Sequence, residues 1–196
     1  MNSKPEDLFD MSFFIDDDLK EVPNNFTDML KGIEMYKEIV NVEADIHVKG
    51  KMLSKLGFYY NTVELYDESE KNLLNAIMIF NINNDAVNTI IAEIRLSRTF
   101  QNKGKLTDAL NILTKLENTV DEDSGIEDYR DFIYQHKGKV LYDIEKYDDA
   151  IKYFYSAMKI RKKKDNGELI SSTQQAIDAV KKKVRETENK SDPDKH

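Results

Sequence analysis

The chain has 196 residues, of which 40% are hydrophobic and 34% charged, with a net charge of −8. That is enough apolar material for a core, which excludes a chain disordered throughout, and the negative charge argues against a phosphate backbone as general partner. With no cysteine, disulfides, thiolate zinc sites and cysteine nucleophiles are excluded together, while only 7 glycines and 3 prolines favour helix over a strand-and-turn protein.

Residues 1–25 form an acidic and aromatic N-terminal arm. Glu6, Asp7, Asp10, Asp16, Asp17, Asp18 and Glu21 surround Leu8, Phe9, Met11, Phe13, Phe14 and Ile15, and Pro23 stops any helix arriving from this side. Two readings stand: a flexible arm whose aromatics pack loosely on the first helices, or a short linear segment that docks in a groove. The stretch has no basic start followed by an apolar run, and no segment reaches the roughly 20 apolar residues of a membrane span, so a cytoplasmic location without membrane contact is expected. From Phe26 the pattern turns helical, with Met29, Ile33, Tyr36 and Val40 on one face and Asn25 as cap.

Beyond residue 50 an alternation of large and small residues occurs three times. Leu53, Leu56, Gly57 and Tyr60 precede Tyr66, Ser69, Leu73 and Ala76; Leu96, Ser97 and Phe100 precede Leu106, Ala109, Leu113 and Leu116; Tyr134, Gly138 and Leu141 precede Tyr147, Ala150, Phe154 and Ala157. Gly57, Ser97 and Gly138 keep the same 40- and 41-residue offsets as Ser69, Ala109 and Ala150. Small residues let two helix backbones approach, and large ones fill the space beside them, so each unit reads as a closely packed helix pair.

The pattern resembles the tetratricopeptide repeat family, in the longer-repeat form of some bacterial regulatory and sensor proteins. The resemblance implies an all-α fold, an α-solenoid of stacked antiparallel helix pairs. Repeats are expected at about 50–81, 85–118 and 125–164, within a single helical domain over 26–188. The period exceeds the family's roughly 34 residues, which suggests longer helices and longer links at 81–85 and 118–125. Asp85 caps the second unit, and Ser124 with Glu127 forms a capping box for the third. A helix over 168–186, with Thr173, Ala176, Ile177, Val180 and Val184 as its apolar face, closes the array, and 189–196 is expected to be a disordered tail. The basic run Arg161 to Lys164 reads as a solvated helix end, with an anion patch as the alternative.

The three histidines, His47, His136 and His196, have no ligand spacing for a metal, and no Gly-rich phosphate loop or positioned nucleophile is present, so neither an enzyme nor a cofactor is expected. In the family, first helices line the concave surface. Carried over by position, the groove comprises Lys51, Ser54, Lys55, Phe58 and Asn61; then Ile91, Ile94, Arg95, Arg98 and Gln101; then Phe132, Gln135, His136, Lys139 and Tyr142. Five cations and no carboxylate stand there in an acidic chain. Arg and Lys suit carboxylates, and the aromatic residues supply anchors, so an acidic, partly aromatic protein or peptide segment is the expected ligand. The chain's own arm, through Phe13, Phe14, Ile15, Asp16, Asp17 and Asp18, has that composition and is a candidate occupant in cis or in a swapped dimer. The expected function is therefore a non-enzymatic adaptor or regulator. The alternatives are a self-associating assembly protein, a small tetratricopeptide chaperone, or a signalling-peptide sensor.

Overall fold

The computed structural model describes residues 4–122 and 127–191. The arm holds a short helix α1 (Pro5–Leu8) and two strands, β1 (Phe13–Ile15) and β2 (Glu21–Pro23). After it come α2 (Phe26–Val42), α3 (Ile46–Thr62), α4 (Tyr66–Ile82), α5 (Ala86–Asn102) and α6 (Leu106–Glu122). A 3-10 turn (Glu127–Tyr129) then leads to α7 (Arg130–Asp143), α8 (Tyr147–Lys163) and α9 (Gly167–Ser191). The capping-box residue Ser124 and the tail beyond 191 lie outside the described residues, whereas 189–191, expected in the tail, continue α9.

The long period has a simple origin. Helices α3, α4, α5 and α6 are each 17 residues long, and the links joining them consist of three residues each. The expected long link at 81–85 is thus corrected, since residues 81 and 82 end α4; of the expected link at 118–125, residues 118–122 belong to α6 and 123–125 lie outside the described residues. One terminus is repeated throughout. After α3 the amide of Leu65 donates to the carbonyl of Tyr60 at 2.9 Å while Glu64 takes a left-handed conformation at φ 64°. The same closure ends α4 (Asp85 to Phe80), α5 (Lys105 to Phe100), α7 (Lys146 to Leu141) and α8 (Asn166 to Arg161). Its left-handed residue is Asn84, Gly104, Glu145 and Asp165 in turn. Of these five residues only Gly104, at φ 75°, has no Cβ to crowd. At the starts, Asn25 accepts from the Asp28 amide and Asp85 from the Asn88 amide, as N-caps do.

The chain divides into two compact units, the first of residues Met1–Asp16 and Lys20–Ile112, the second of Asp17–Leu19 and Leu113–His196. In the first, Met29, Ile33, Tyr36, Leu56, Ala76, Phe80 and Ala92 form the core. The small positions of α3 and α4 meet as the pattern requires: a Cβ on Gly57 would lie 2.5 Å from Leu73 Cγ. Ser69 Oγ donates to the Gly57 carbonyl at 2.7 Å and shares a second 2.7 Å bond with Thr99 Oγ1. In the second unit, Ile133, Val140, Phe154, Ala157, Ile177 and Val180 are buried, and Phe154 Cε1 lies 2.6 Å from where a Gly138 Cβ would stand.

Within the basic run at the end of α8, Lys162 to Lys164 are exposed as expected, whereas Arg161 is not. Arg161 is 2% exposed, donates from Nε to Asp131 Oδ2 at 2.9 Å and from Nη1 to Thr173 Oγ1 at 2.7 Å, and Lys164 Nζ meets the other oxygen of Asp131. This cation is an internal tie among α7, α8 and α9, because a fully buried carboxylate at the start of α7 requires a paired charge.

Candidate functional site

The arm is ordered against the first unit. Strands β1 and β2 pair antiparallel with Phe14 opposite Val22, and Asp16 Oδ1 accepts from the Lys20 amide to close the turn. Leu19 stands at φ 61° within that turn. The loosely packed arm is thereby corrected to a hairpin with defined contacts, and Met11, 7% exposed, fills the space left by Gly32, where its Cγ lies 3.4 Å from an ideal Cβ position.

Several residues expected to line a groove meet this arm. Lys55 Nζ donates to Glu6 Oε1 at 2.8 Å, and the Tyr36 and Tyr59 hydroxyls donate to the same oxygen. Burial alone would raise the Glu6 pKa; the Lys55 and Tyr36 hydrogen bonds overcome it and bring the carboxyl down to about 2. Burial beside this anion raises both tyrosine hydroxyls. Glu6 Oε2 is buried with no hydrogen-bond partner among the described residues. The Phe13 ring meets Phe58 edge-on at 5.3 Å. Glu21 Oε2 accepts from Arg98 Nε at 2.9 Å, with the two side chains only 8% and 4% exposed, and Arg98 Nη1 also donates to Gln101 Oε1.

Other expected residues tie helices together. Arg95 Nη1 donates to Ser54 Oγ at 2.8 Å and its guanidinium lies 5.6 Å from the centre of the Phe58 ring; desolvation lowers its pKa. Asn61 accepts from Asn102, linking α3 to α5, and Lys51 is exposed on α3. Ile91 and Ile94 lie on α5, with Ile94 buried.

In the second unit, Lys139 Nζ donates to the carbonyl of Leu19, which is 2% exposed, at 2.8 Å. Gln135 is buried with both amide atoms lacking a partner among the described residues. Phe132 lies under the Arg161 guanidinium at 5.3 Å, and His136 is half-buried. Tyr142 packs on Tyr147 at 5.8 Å; its hydroxyl is raised by burial and by neighbours that include Asp18.

The sequence reading placed the arm's role on Phe13 to Asp18, but two further anions take part, Glu6 and Glu21, along with Tyr36, Tyr59 and Leu19. The available signal was spacing: Glu6 and Glu21 flank the aromatic run, one on each side, and each reaches a different helix. Among the described residues no group of three or more His, Asp or Glu is arranged to hold a metal, and no helix is long and apolar enough to cross a membrane.

The helix pair α7–α8 defines the class of protein. Residues 131–164 match the tetratricopeptide repeat model, and the chain as a whole has an all-α solenoid fold of stacked antiparallel helix pairs. Among solved structures it is similar to the apo form of RapI, at 19% identity and TM-score 0.66, over 81% of this chain and 58% of that one. The chain thus spans somewhat more than half the length of RapI. It is also similar to BtubC (BKLC) from P. vanneervenii, at 17% identity and TM-score 0.58, covering 83% of this chain and 75% of that one. A third similar structure is a putative kinesin light chain from Podosopora anserina with nearly identical TPR-like repeats, at 13% identity and TM-score 0.54, covering 84% and 89% respectively. These identities speak for the fold alone. No curated protein sequence matches the chain.

Proposed function

We propose that this chain is a non-enzymatic binding module in which α3 and α5 present a cation-bearing face to an acidic, partly aromatic segment of a protein partner. The observation that carries this reading is the company those helices keep: Lys55 meets Glu6, Arg98 meets Glu21, and Phe58 meets Phe13. An acidic and aromatic stretch of polypeptide already satisfies the face, so the chemistry of a matching ligand is defined by example. Arg98 supplies a desolvated guanidinium for a carboxylate, Lys55 a more exposed point charge, and Phe58 an edge-accepting ring.

The test uses the full chain with Glu6→Gln and Glu21→Gln, which weakens the arm's hold. Fluorescence anisotropy compares a labelled peptide copying residues 4–23 with a version in which every Asp and Glu is Lys. The acidic peptide is expected to bind, with affinity falling as salt rises and lost on Lys55→Glu. Equal binding of the two peptides sinks the reading.

A self-associating role rests on a different surface. Leu74, Met78 and Ile82 form a stripe along α4 at 47%, 56% and 74% exposure, an apolar face of the kind that two copies bury together. Sedimentation across a concentration range distinguishes the two, since an adaptor of the first kind stays monomeric.

A further inference from the structure

We infer that residues 5–23 are a displaceable, built-in occupant of the face on α3 and α5, so that a partner's segment gains that face only by lifting the arm. This rests on the function proposed above and adds both the regulation of the site and the form of its ligand.

The arm is built to dock rather than to stand alone. Its helix is four residues long and its strands three, below the length at which a helix or a lone hairpin holds its shape in water. Its order therefore comes from what it touches. Those contacts are of two kinds. Met11 over Gly32 and the buried Leu19, whose carbonyl accepts from Lys139, are anchors, whereas the contacts to Lys55, Phe58 and Arg98 are polar or edge-on, of a kind that another acidic peptide reproduces one for one.

The docking is also imperfect. Glu6 Oε2 is buried without a partner among the described residues, a penalty borne only while the arm is seated. Phe13 and Phe14 remain 41% and 50% exposed, so these rings bury little of their apolar surface. A buried ion pair such as Glu21 with Arg98 sets register more than it adds stability, and an incoming carboxylate replaces Glu21 without loss. A competitor that fits better than Glu6 and Phe14 do has room to win.

The arm also supplies a template for the competitor. A carboxylate sits at the Lys55, Tyr36 and Tyr59 site, an aromatic ring follows seven positions later at Phe58, and a second carboxylate comes eight positions after that at Arg98. The partner is thus a protein whose accessible segment carries two carboxylates flanking an aromatic residue at about that separation. Tethering gives the arm an effective concentration in the millimolar range, so an untethered copy of the same sequence competes poorly until the arm is loosened.

The test exploits the absence of cysteine from the chain. In the full chain carrying Met11→Cys and Gly32→Cys, the new Sγ at position 11 falls near the present Met11 Cγ, 3.4 Å from the Cβ at position 32, which is close to disulfide geometry. The probe is a labelled synthetic peptide of residues 4–23. The oxidised chain is expected to bind it at least about tenfold more weakly than the same chain after reduction. Independently, Glu6→Gln with Glu21→Gln in the otherwise native chain is expected to raise peptide affinity about tenfold or more, which keeps the test decisive if the cysteine pair folds poorly. Equal affinity in the two redox states, an affinity unchanged by the glutamine pair, or no peptide binding to any variant overturns the inference. Binding that follows the lock but ignores Lys55→Glu overturns instead the acidic-ligand reading on which it rests.

Discussion

Replacing Glu21 by Ala separates an arm that is part of the core from one that is only seated on it. The pair it forms with Arg98 has both side chains under a tenth exposed, at 2.9 Å. If the site stayed closed, removing the anion that faces a buried guanidinium would cost about 3–5 kcal/mol, and urea unfolding of the whole chain would register it. The arm offers another outcome. Among the described residues its two strands pair only with each other, so it lifts before the helices melt and Arg98 regains water. Global stability should then fall by no more than about 1 kcal/mol, while the local opening free energy of the arm drops by about 3 kcal/mol, roughly a hundredfold in exchange rate. The reporters are the amides of Asp16 and Asn24, which donate to Lys20 at 3.0 Å and to Ser12 at 3.1 Å. Native-state hydrogen exchange should show these two accelerating while amides of α3 and α4 do not. A loss of 3–5 kcal/mol in the global transition, with the arm amides changing only in step with the core, refutes the reasoning.

Gly138→Ala drives a methyl to 2.6 Å from Phe154 Cε1 and should cost about 1–3 kcal/mol, read as a shifted urea midpoint. Asp131→Ala removes the acceptor shared by Arg161 and Lys164 and should destabilise by about 3–5 kcal/mol; a change under 1 kcal/mol counts against the internal tie described for α7, α8 and α9. Glu145→Gly relieves a non-glycine residue at φ 61° and should leave stability unchanged or raise it by up to about 1 kcal/mol in the same assay, whereas Gly104→Ala, at φ 75°, should lower it. The Glu6 carboxyl, brought down from 4.5 to about 2, contributes stability that is complete above pH 4.5 and lost as the pH falls through 2. Because the group is partly open to solvent, that contribution is discounted to about 1–2 kcal/mol, seen as lower protection of the arm amides, relative to their intrinsic exchange rates, at pH 3 than at pH 5 and flattened by Glu6→Gln.

The repeat was legible because its determinants are local. Gly57, Gly138, Ser69 and Ala150 must be small wherever backbones approach, and a period written in small residues survives in the bare sequence. The longer helices behind the long period were legible, but the short links were not, since Glu64 and Glu145 end helices in a conformation normally marked by glycine, and their side chains give no sign of it. Arg161 was misread for a related reason. Flanked by Lys162, Lys163 and Lys164 it resembles a solvated run, and its acceptor Asp131 lies 30 residues upstream, where only a folded helix pair brings the two within 2.9 Å. At the candidate site, family position singled out Lys55, Phe58, Arg98 and Lys139, but not what meets them. Glu6, Leu19 and Glu21 act through contacts with residues far away in the chain, and isolated carboxylates in an acidic stretch carry no periodic signal.

The central claim is that the face of α3 and α5 holds acidic, aromatic polypeptide, and Phe58 is the point at which to ask. With a photoreactive benzoylphenylalanine installed at that position in the full chain carrying Glu6→Gln and Glu21→Gln, irradiation with the labelled peptide of residues 4–23 should yield a cross-link. Mass spectrometry should map it to the peptide's aromatic run, and excess unlabelled peptide should suppress it. A cross-link formed equally well by the peptide with all its acidic residues changed to lysine, or none with the acidic peptide at all, contradicts the account.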